Sequence, residues 1–267
     1  QEASNLLPAT WDASNLGRVT SNSAHALRGK ILVFRGTVNN NNADFTEAIN
    51  DFNSITGLSL MPNYGDNFDY TKENNSESLF EYQANEQSSN NNNAELDNDG
   101  FAVVGDVSAW YGMFTQKPTW IGSAVYSATQ SLIDAYEPGD PRWEYTLTPD
   151  AEASDLINVV KYVRDGMPTF NKQNNEQSKN NPRILRYADV LLLQAEAIIR
   201  SGGNLSEAIA IINQIRERAR NSNTSGEPSQ APANRDITET DRNTVLSWLF
   251  HERRIELACE EGHRWYD

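Results

Sequence analysis

The stretch Ile184-Leu185-Arg186-Tyr187-Ala188-Asp189-Val190-Leu191-Leu192-Leu193-Gln194-Ala195-Glu196-Ala197 reads as a helix that must bury one side. Counting on to Arg200, the apolar positions Leu185, Ala188, Leu192, Ala195 and Ile199 recur at helical spacing. Ser201-Gly202-Gly203-Asn204 then stops the helix, because glycine takes the left-handed C-terminal conformation without a steric cost. Ser206 or Asn204 caps the next helix, where Ala208, Ile211, Ile212 and Ile215 form one apolar face. A helix, a glycine stop, a polar cap and a second helix make an antiparallel hairpin.

Working outward, the same design recurs near the start. Ala24, Leu27, Ile31 and Phe34 set one helix. An Asn-rich turn follows, and Phe45, Ala48, Ile49 and Phe52 set another. In both hairpins a Glu-Ala pair (Glu47-Ala48, Glu207-Ala208) follows the turn, and the units resemble tetratricopeptide repeats. A third amphipathic helix runs from about Asp241 to Glu261, with Val245, Leu246, Leu249, Ile255 and Ala258 in its core face. Residues 224–236, rich in Pro, Ser, Gly and Asn, form a loop. Residues 62–182 differ: they lack sustained helical period and hold most of the aromatics among many Gly, Pro, Asn and Asp. Ser78 to Gln83 reads as a short extended segment there, and Ser131 to Tyr136 as one or two helical turns.

The predicted fold class is mainly α: tetratricopeptide-like helical pairs forming a scaffold, with a long irregular loop-rich insertion that carries the ligand site. The predicted organisation is one domain over residues 1–267, with a helical pair in 1–61, the irregular region in 62–182, and a helical pair plus one further helix in 183–267.

Composition narrows the partners. Among 267 residues, 37 acidic and 22 basic side chains give a formal charge of −15. Nucleic acid is disfavoured, because phosphate binding draws on Lys and Arg releasing counterions, and so is docking on anionic lipid. The lone cysteine, Cys259, excludes an internal disulfide and reads as a small buried residue within a helical run. No apolar stretch approaches the roughly 20 residues that span a bilayer. Neither end carries a signal peptide or a helix stop, so the sequence reads as cut at both ends.

Several segments, in order, resemble the SusD-like (SusD/RagB) family. They are Leu7-Pro8-Ala9-Thr10-Trp11 with Asn15-Leu16-Gly17-Arg18-Val19-Thr20; Pro62-Asn63-Tyr64-Gly65-Asp66-Asn67-Phe68; Glu73-Asn74-Asn75-Ser76-Glu77-Ser78-Leu79-Phe80-Glu81; and Asp134-Ala135-Tyr136 with Gly139-Asp140-Pro141-Arg142. The opening stretch is the strongest, continuing into Ile212-Asn213-Gln214-Ile215-Arg216-Glu217-Arg218-Ala219 and His251-Glu252-Arg253-Arg254-Ile255-Glu256-Leu257-Ala258. The resemblance implies a Bacteroidetes outer-membrane lipoprotein on the extracellular face. It would bind an oligosaccharide or polysaccharide and cap a SusC-like TonB-dependent transporter. Family members are longer, and membrane attachment would run only through a lipid anchor outside these residues. No cofactor and no catalysis are implied.

Sugar recognition needs flat apolar faces under pyranose rings and polar tips for hydroxyls, which Tyr and Trp combine. Residues 101–126 concentrate them, and the candidate glycan-binding residues are Trp110, Tyr111, Phe114, Trp120 and Tyr126, with Gly112 and Gly122 allowing tight turns. The competing reading is that these aromatics pack the loop onto the helices. Glu95, Asp97, Asp99, Gly100 and Asp106 fall on places of a calcium-loop template but read as an acidic loop, so no metal is assigned. Asp134, Glu137 and Asp140 invite comparison with a glycosidase pair, yet the local sequence favours a turn with Arg142 as salt partner. Glu252, Arg253, Arg254 and Glu256 read as ion pairs between stacked helices. His25, His251 and His263 lack zinc spacing. Two alternatives remain at this level: a carbohydrate-active hydrolase, or a tetratricopeptide-type adaptor for a protein. An acidic, Asn-rich chain suits a neutral polymer, of which laminarin is one example.

Overall fold

The structure is a computed structural model that describes residues 2–83, 127–149, 156–162, 180–223, 225–260 and 262–263. Among them the helices are α1 (Glu2–Leu6), α2 (Ser21–Asn39), α3 (Asn42–Asn53), α4 (Gln130–Ile133), α5 (Arg142–Thr146), α6 (Tyr187–Arg200), α7 (Leu205–Asn221) and α8 (Arg242–Glu256). The strands are short: β1 (Ser78–Phe80), β2 (Leu147–Pro149), β3 (Ile157–Val159) and β4 (Leu185–Arg186). The architecture is mainly α, in two helical hairpins and a further helix.

Helix α6 is the axis of the assembly. Every residue from Ala188 to Leu193 is buried, because α3 and α2 pack on one side and α7 and α8 on the other. Ala188, Leu192, Ala195 and Ile199 meet Ala208, Ile212, Ile215, Val245 and Leu249, while Val190, Leu193 and Ala197 meet Ala26, Val33, Phe45 and Phe52. Each fully buried Leu or Ile contributes about 1.5–3 kcal/mol. The helix begins at Tyr187, not at Ile184 as its periodicity predicts. Leu185 and Arg186 instead form β4, antiparallel to β1, with Arg186 opposite Ser78. Extended backbone sends Leu185 into the core and turns Arg186 toward buried carboxylates.

In the first hairpin Thr20 forms a reciprocal capping box with Ser23, and Asn40 turns the chain in the left-handed conformation at φ 52°. The predicted phase of α2 is wrong. Its buried face is Ala26, Gly29, Leu32, Val33 and Gly36, whereas Leu27 and Ile31 are 54% and 53% exposed. The small residues decide this: a Cβ on Gly29 would lie 2.3 Å from Phe52 Cε1, and one on Gly36 would lie 3.0 Å from Phe45 Cε1. Helix α3 therefore approaches along the glycines, not along the large apolar stripe.

The second hairpin turns as predicted, with Gly202 at φ 83° and Asn204, the cap, accepting from the Ser206 amide. Ile209, not Ile211, is fully buried on α7. Asp241 caps α8 through the Thr244 amide. That helix closes at Glu256, so Cys259 lies in the following turn at φ 60°, not in a helical run. Burial pushes its thiol pKa up.

The described part of the irregular region is held by an aromatic cluster and two small sheets. Tyr64, Phe68, Tyr145 and Tyr162 pack edge to face. Strand β2 pairs antiparallel with β3, and Ser127 bridges to Asn158 on its edge.

Candidate functional site

The candidate glycan-binding residues Trp110, Tyr111, Phe114, Trp120 and Tyr126, and the acidic loop from Glu95 to Asp106, lie outside the described residues. The described fold supplies the two points that flank them in sequence. Gln83 stands before residues 84–126, and Ser127 follows them on the β2–β3 sheet.

A cleft of about 250 Å³ lies at the head of α2, lined among others by Trp11, Arg18, Asn22, Gly57, Asn74 and Glu81, and Gln83 packs behind its wall against Gly17 and Asn74. Local chemistry builds each wall. Asp12 caps a single turn of 3-10 helix through the Ser14 amide. Gly17 follows at φ 88°, with the Gln83 amide against its Cα in the space a Cβ would need. Trp11 is half-buried, donates its indole N–H to the Val19 carbonyl at 2.8 Å, and has the Arg18 guanidinium 5.7 Å from its ring centroid. Asn22 donates to the Thr56 carbonyl at 2.9 Å and accepts from the Thr56 amide at 3.3 Å. Asn74 and Gln83 exchange two amide hydrogen bonds, at 2.9 and 3.1 Å. Trp11 escaped the sequence-based site list; a Trp set among turn residues, Asp12 to Gly17, was the available signal.

Of the three carboxylates that invited a catalytic reading, Asp140 is spent in a buried ionic network. Glu77, Asp140, Glu252, Glu256 and Glu260 face Lys161, Arg142, Arg186, Arg216 and Arg218 in one connected network, and all ten side chains are nearly inaccessible. Arg142 reaches Asp140 at 2.7 Å and Glu252 at 2.6 Å; Arg186 reaches Glu77 at 2.8 Å and Glu260 at 2.7 Å. Glu256 receives Arg142, Arg186 and Arg218 together. Burial alone would raise the Glu256 pKa, but Arg218, Arg186 and Arg142 hold it well below the usual carboxylate range. Glu137 sits at the rim, 30% exposed, against Arg216. The expected ion pairs between stacked helices are present for Glu252 with Arg216, Glu256 with Arg218, and Arg253 with Asp189. Arg254 departs from that expectation, donating to the Ser131 hydroxyl at 2.8 Å.

A second hollow, about 670 Å³, is apolar and borders the exposed stripe of α2: Leu7, Val19, Leu27, Ile31, Phe34 and Ile184. His263 is in its wall, its Nδ1 accepting from Lys30 at 2.7 Å. Burial lowers the His263 pKa, favouring the neutral ring. Among the described residues no group of three or more His, Cys, Asp or Glu could hold a metal ion. No described helix is long and apolar enough to cross a membrane.

Known proteins resemble this chain in sequence and in fold. Residues 150–267 match the model of the SusD family. A SusD-like protein P2 of Formosa agariphila is 38% identical over 128 residues, 46% of this chain and 24% of that protein. The crystal structure of a SusD superfamily protein from Bacteroides vulgatus aligns with TM-score 0.67 and 26% identity over 99% of this chain and 54% of that one. A structure described as a laminarin binding SusD-like protein aligns with TM-score 0.67 and 22% identity over 98% of this chain and 56% of that one. The chain thus spans about half the length of the solved structures it matches.

Proposed function

We propose that this chain is a member of the SusD-like family and captures an oligosaccharide or polysaccharide at the cell surface without hydrolysing it. The observation that carries this reading is the agreement of the helical scaffold with SusD superfamily structures over nearly the whole chain. A solved relative of that fold is described as binding laminarin. Delivery to a SusC-like TonB-dependent transporter, and a lipid anchor in the outer membrane outside these residues, complete the proposal by resemblance to the family.

The ligand platform is assigned to Trp110, Tyr111, Phe114, Trp120 and Tyr126, whose ring faces suit pyranoses. A hydrolase reading is disfavoured by the buried network. Asp140 is locked against Arg142 and Glu137 against Arg216, so these two carboxylates are engaged with arginines, while Asp134 lies exposed with a hydrogen bond from Gln130. The net charge of −15 favours a neutral polymer over an anionic one.

Affinity electrophoresis in gels containing laminarin, xylan or galactomannan tests the proposal. The protein is retarded by one of them, and Trp110→Ala or Trp120→Ala abolishes the retardation. Unchanged migration of both variants removes the site assignment. Release of reducing sugar from the bound polymer overturns the non-catalytic reading.

A further inference from the structure

We infer that the cleft around Trp11 is a subsite for one neutral sugar ring, separate from the aromatic platform assigned above; the inference rests on the glycan-binding reading. Size comes first. At about 250 Å³ the cleft is smaller than the roughly 300–1,000 Å³ of sites that enclose a whole drug-sized ligand, so it suits one unit of a chain that continues outside.

Its chemistry is that of a sugar subsite. The Trp11 indole N–H is satisfied by the Val19 carbonyl, so the ring has only apolar surface left to offer, the part a pyranose C–H face stacks on. Arg18 beside that ring supplies donors at the mouth. Gln83 is spent on Asn74, the Glu81 carbonyl and Asn181, but Asn74 keeps one side-chain N–H and one acceptor site beyond the two bonds it exchanges with Gln83, matching a hydroxyl that both gives and takes.

The charge pattern selects a neutral ring. Arg18 and Glu81 are the charged residues of the lining. Glu81 is buried, accepts from the Asn74 amide at 3.1 Å and the Asn181 side chain at 2.9 Å, and faces Arg183 Nε at 3.4 Å. It is occupied by the fold, and Arg18 is the single cation of the lining; because one guanidinium can grip a carboxylate bidentately, the preference for a neutral ring rests on the chain's net charge of −15.

The walls are fixed before any ligand arrives. Asn22 ties the head of α2 to Thr56 by two hydrogen bonds, and Asn74 is held at φ 50° by its partners. A cleft already ordered spends little binding energy on ordering side chains.

Isothermal titration with laminaribiose and laminarihexaose, or with the di- and hexasaccharide of whichever gel polymer retards the protein, tests the subsite. Trp11→Ala weakens the hexasaccharide about tenfold, the effect of one stacked aromatic anchor, and changes disaccharide affinity by less. Should Trp11→Ala disturb folding, the rate of thiol labelling in Arg18→Cys gives the second measurement, since bound hexasaccharide slows it severalfold. Equal affinities for wild type and Trp11→Ala, or labelling unaffected by saturating hexasaccharide, overturn the subsite while leaving glycan capture standing. A wild-type protein that binds none of the polymers overturns the underlying reading, and the subsite with it.

Discussion

Replacing Glu256 by Gln in the full chain probes the buried network at its most connected point. Glu256 Oε1 receives Arg186 Nη1 at 2.7 Å and also Arg218 Nη2, while Oε2 receives Arg142 Nη1 at 3.0 Å. A glutamine keeps one acceptor and turns an NH₂ toward a guanidinium, so at least one charge-assisted hydrogen bond is lost, about 1.5–3 kcal/mol. The larger effect is electrostatic. The ten network charges balance, and removing one carboxylate strands a positive charge in an inaccessible site, which costs about 3–5 kcal/mol. Against a total stability of about 5–15 kcal/mol for a typical domain, the variant is severely weakened. Urea unfolding at neutral pH followed by circular dichroism measures it, with the midpoint falling and the slope m unchanged. Adding Arg218→Met to Glu256→Gln restores neutrality, and the double variant loses less than the two single losses combined. A loss under about 1 kcal/mol for Glu256→Gln, or strict additivity in the pair, would refute the account of a balanced buried network.

Gly29→Ala places a Cβ against the Phe52 ring at 2.3 Å, an overpacking cost of about 1–3 kcal/mol that outweighs the ~1 kcal/mol helix-propensity gain; thermal melting shows a lower midpoint, and an unchanged one contradicts the close helix approach. Burial raises the Glu73 carboxyl to about 7, against the lowering effects of the Asn181 amide and Arg183. Because its folded pKa exceeds its unfolded one, the folded state binds the proton more tightly, and stability falls as pH rises from about 4.5 to about 7. Glu73→Gln therefore melts higher than wild type at pH 8 by about 1 kcal/mol, reduced by solvent screening at this half-buried site, and the difference closes near pH 5. Glu256 has the opposite sign: its depressed folded pKa stabilises the protein above the unfolded carboxylate range, and this is lost as acid falls below it. The acid limb of Glu256→Gln is accordingly flatter.

Local signals were readable where one residue determines the geometry. Gly202 after Arg200 and Asp241 before α8 both act as their residue types require. The α2 phase misled because large apolar residues were weighted over small ones; Ala26, Gly29, Val33 and Gly36 also recur at helical spacing, and that stripe is the close contact. On α8 the buried face runs Val245, Leu249, Glu252, Glu256. Carboxylates continuing an apolar stripe announce buried partners, but not which. Arg142 and Glu252 stand 110 positions apart, a pairing that only the folded topology defines. The proposed platform between residues 101 and 126 is read from composition alone, aromatic and polar, whereas the Trp11 cleft depends on Asn22, Thr56 and Asn74 meeting from three separated segments.

The balance inside the ionic network has a bearing on the medium this protein works in. With five cations cancelling five carboxylates, the whole formal charge of −15 belongs to the remaining residues. Dissolved ions screen exposed charges over about 8–10 Å at moderate ionic strength but barely reach inaccessible pairs. Brackish or marine water would therefore quiet the repulsion across the outside of the molecule and leave its internal clamp untouched, so the fold tightens, if anything, as salinity rises.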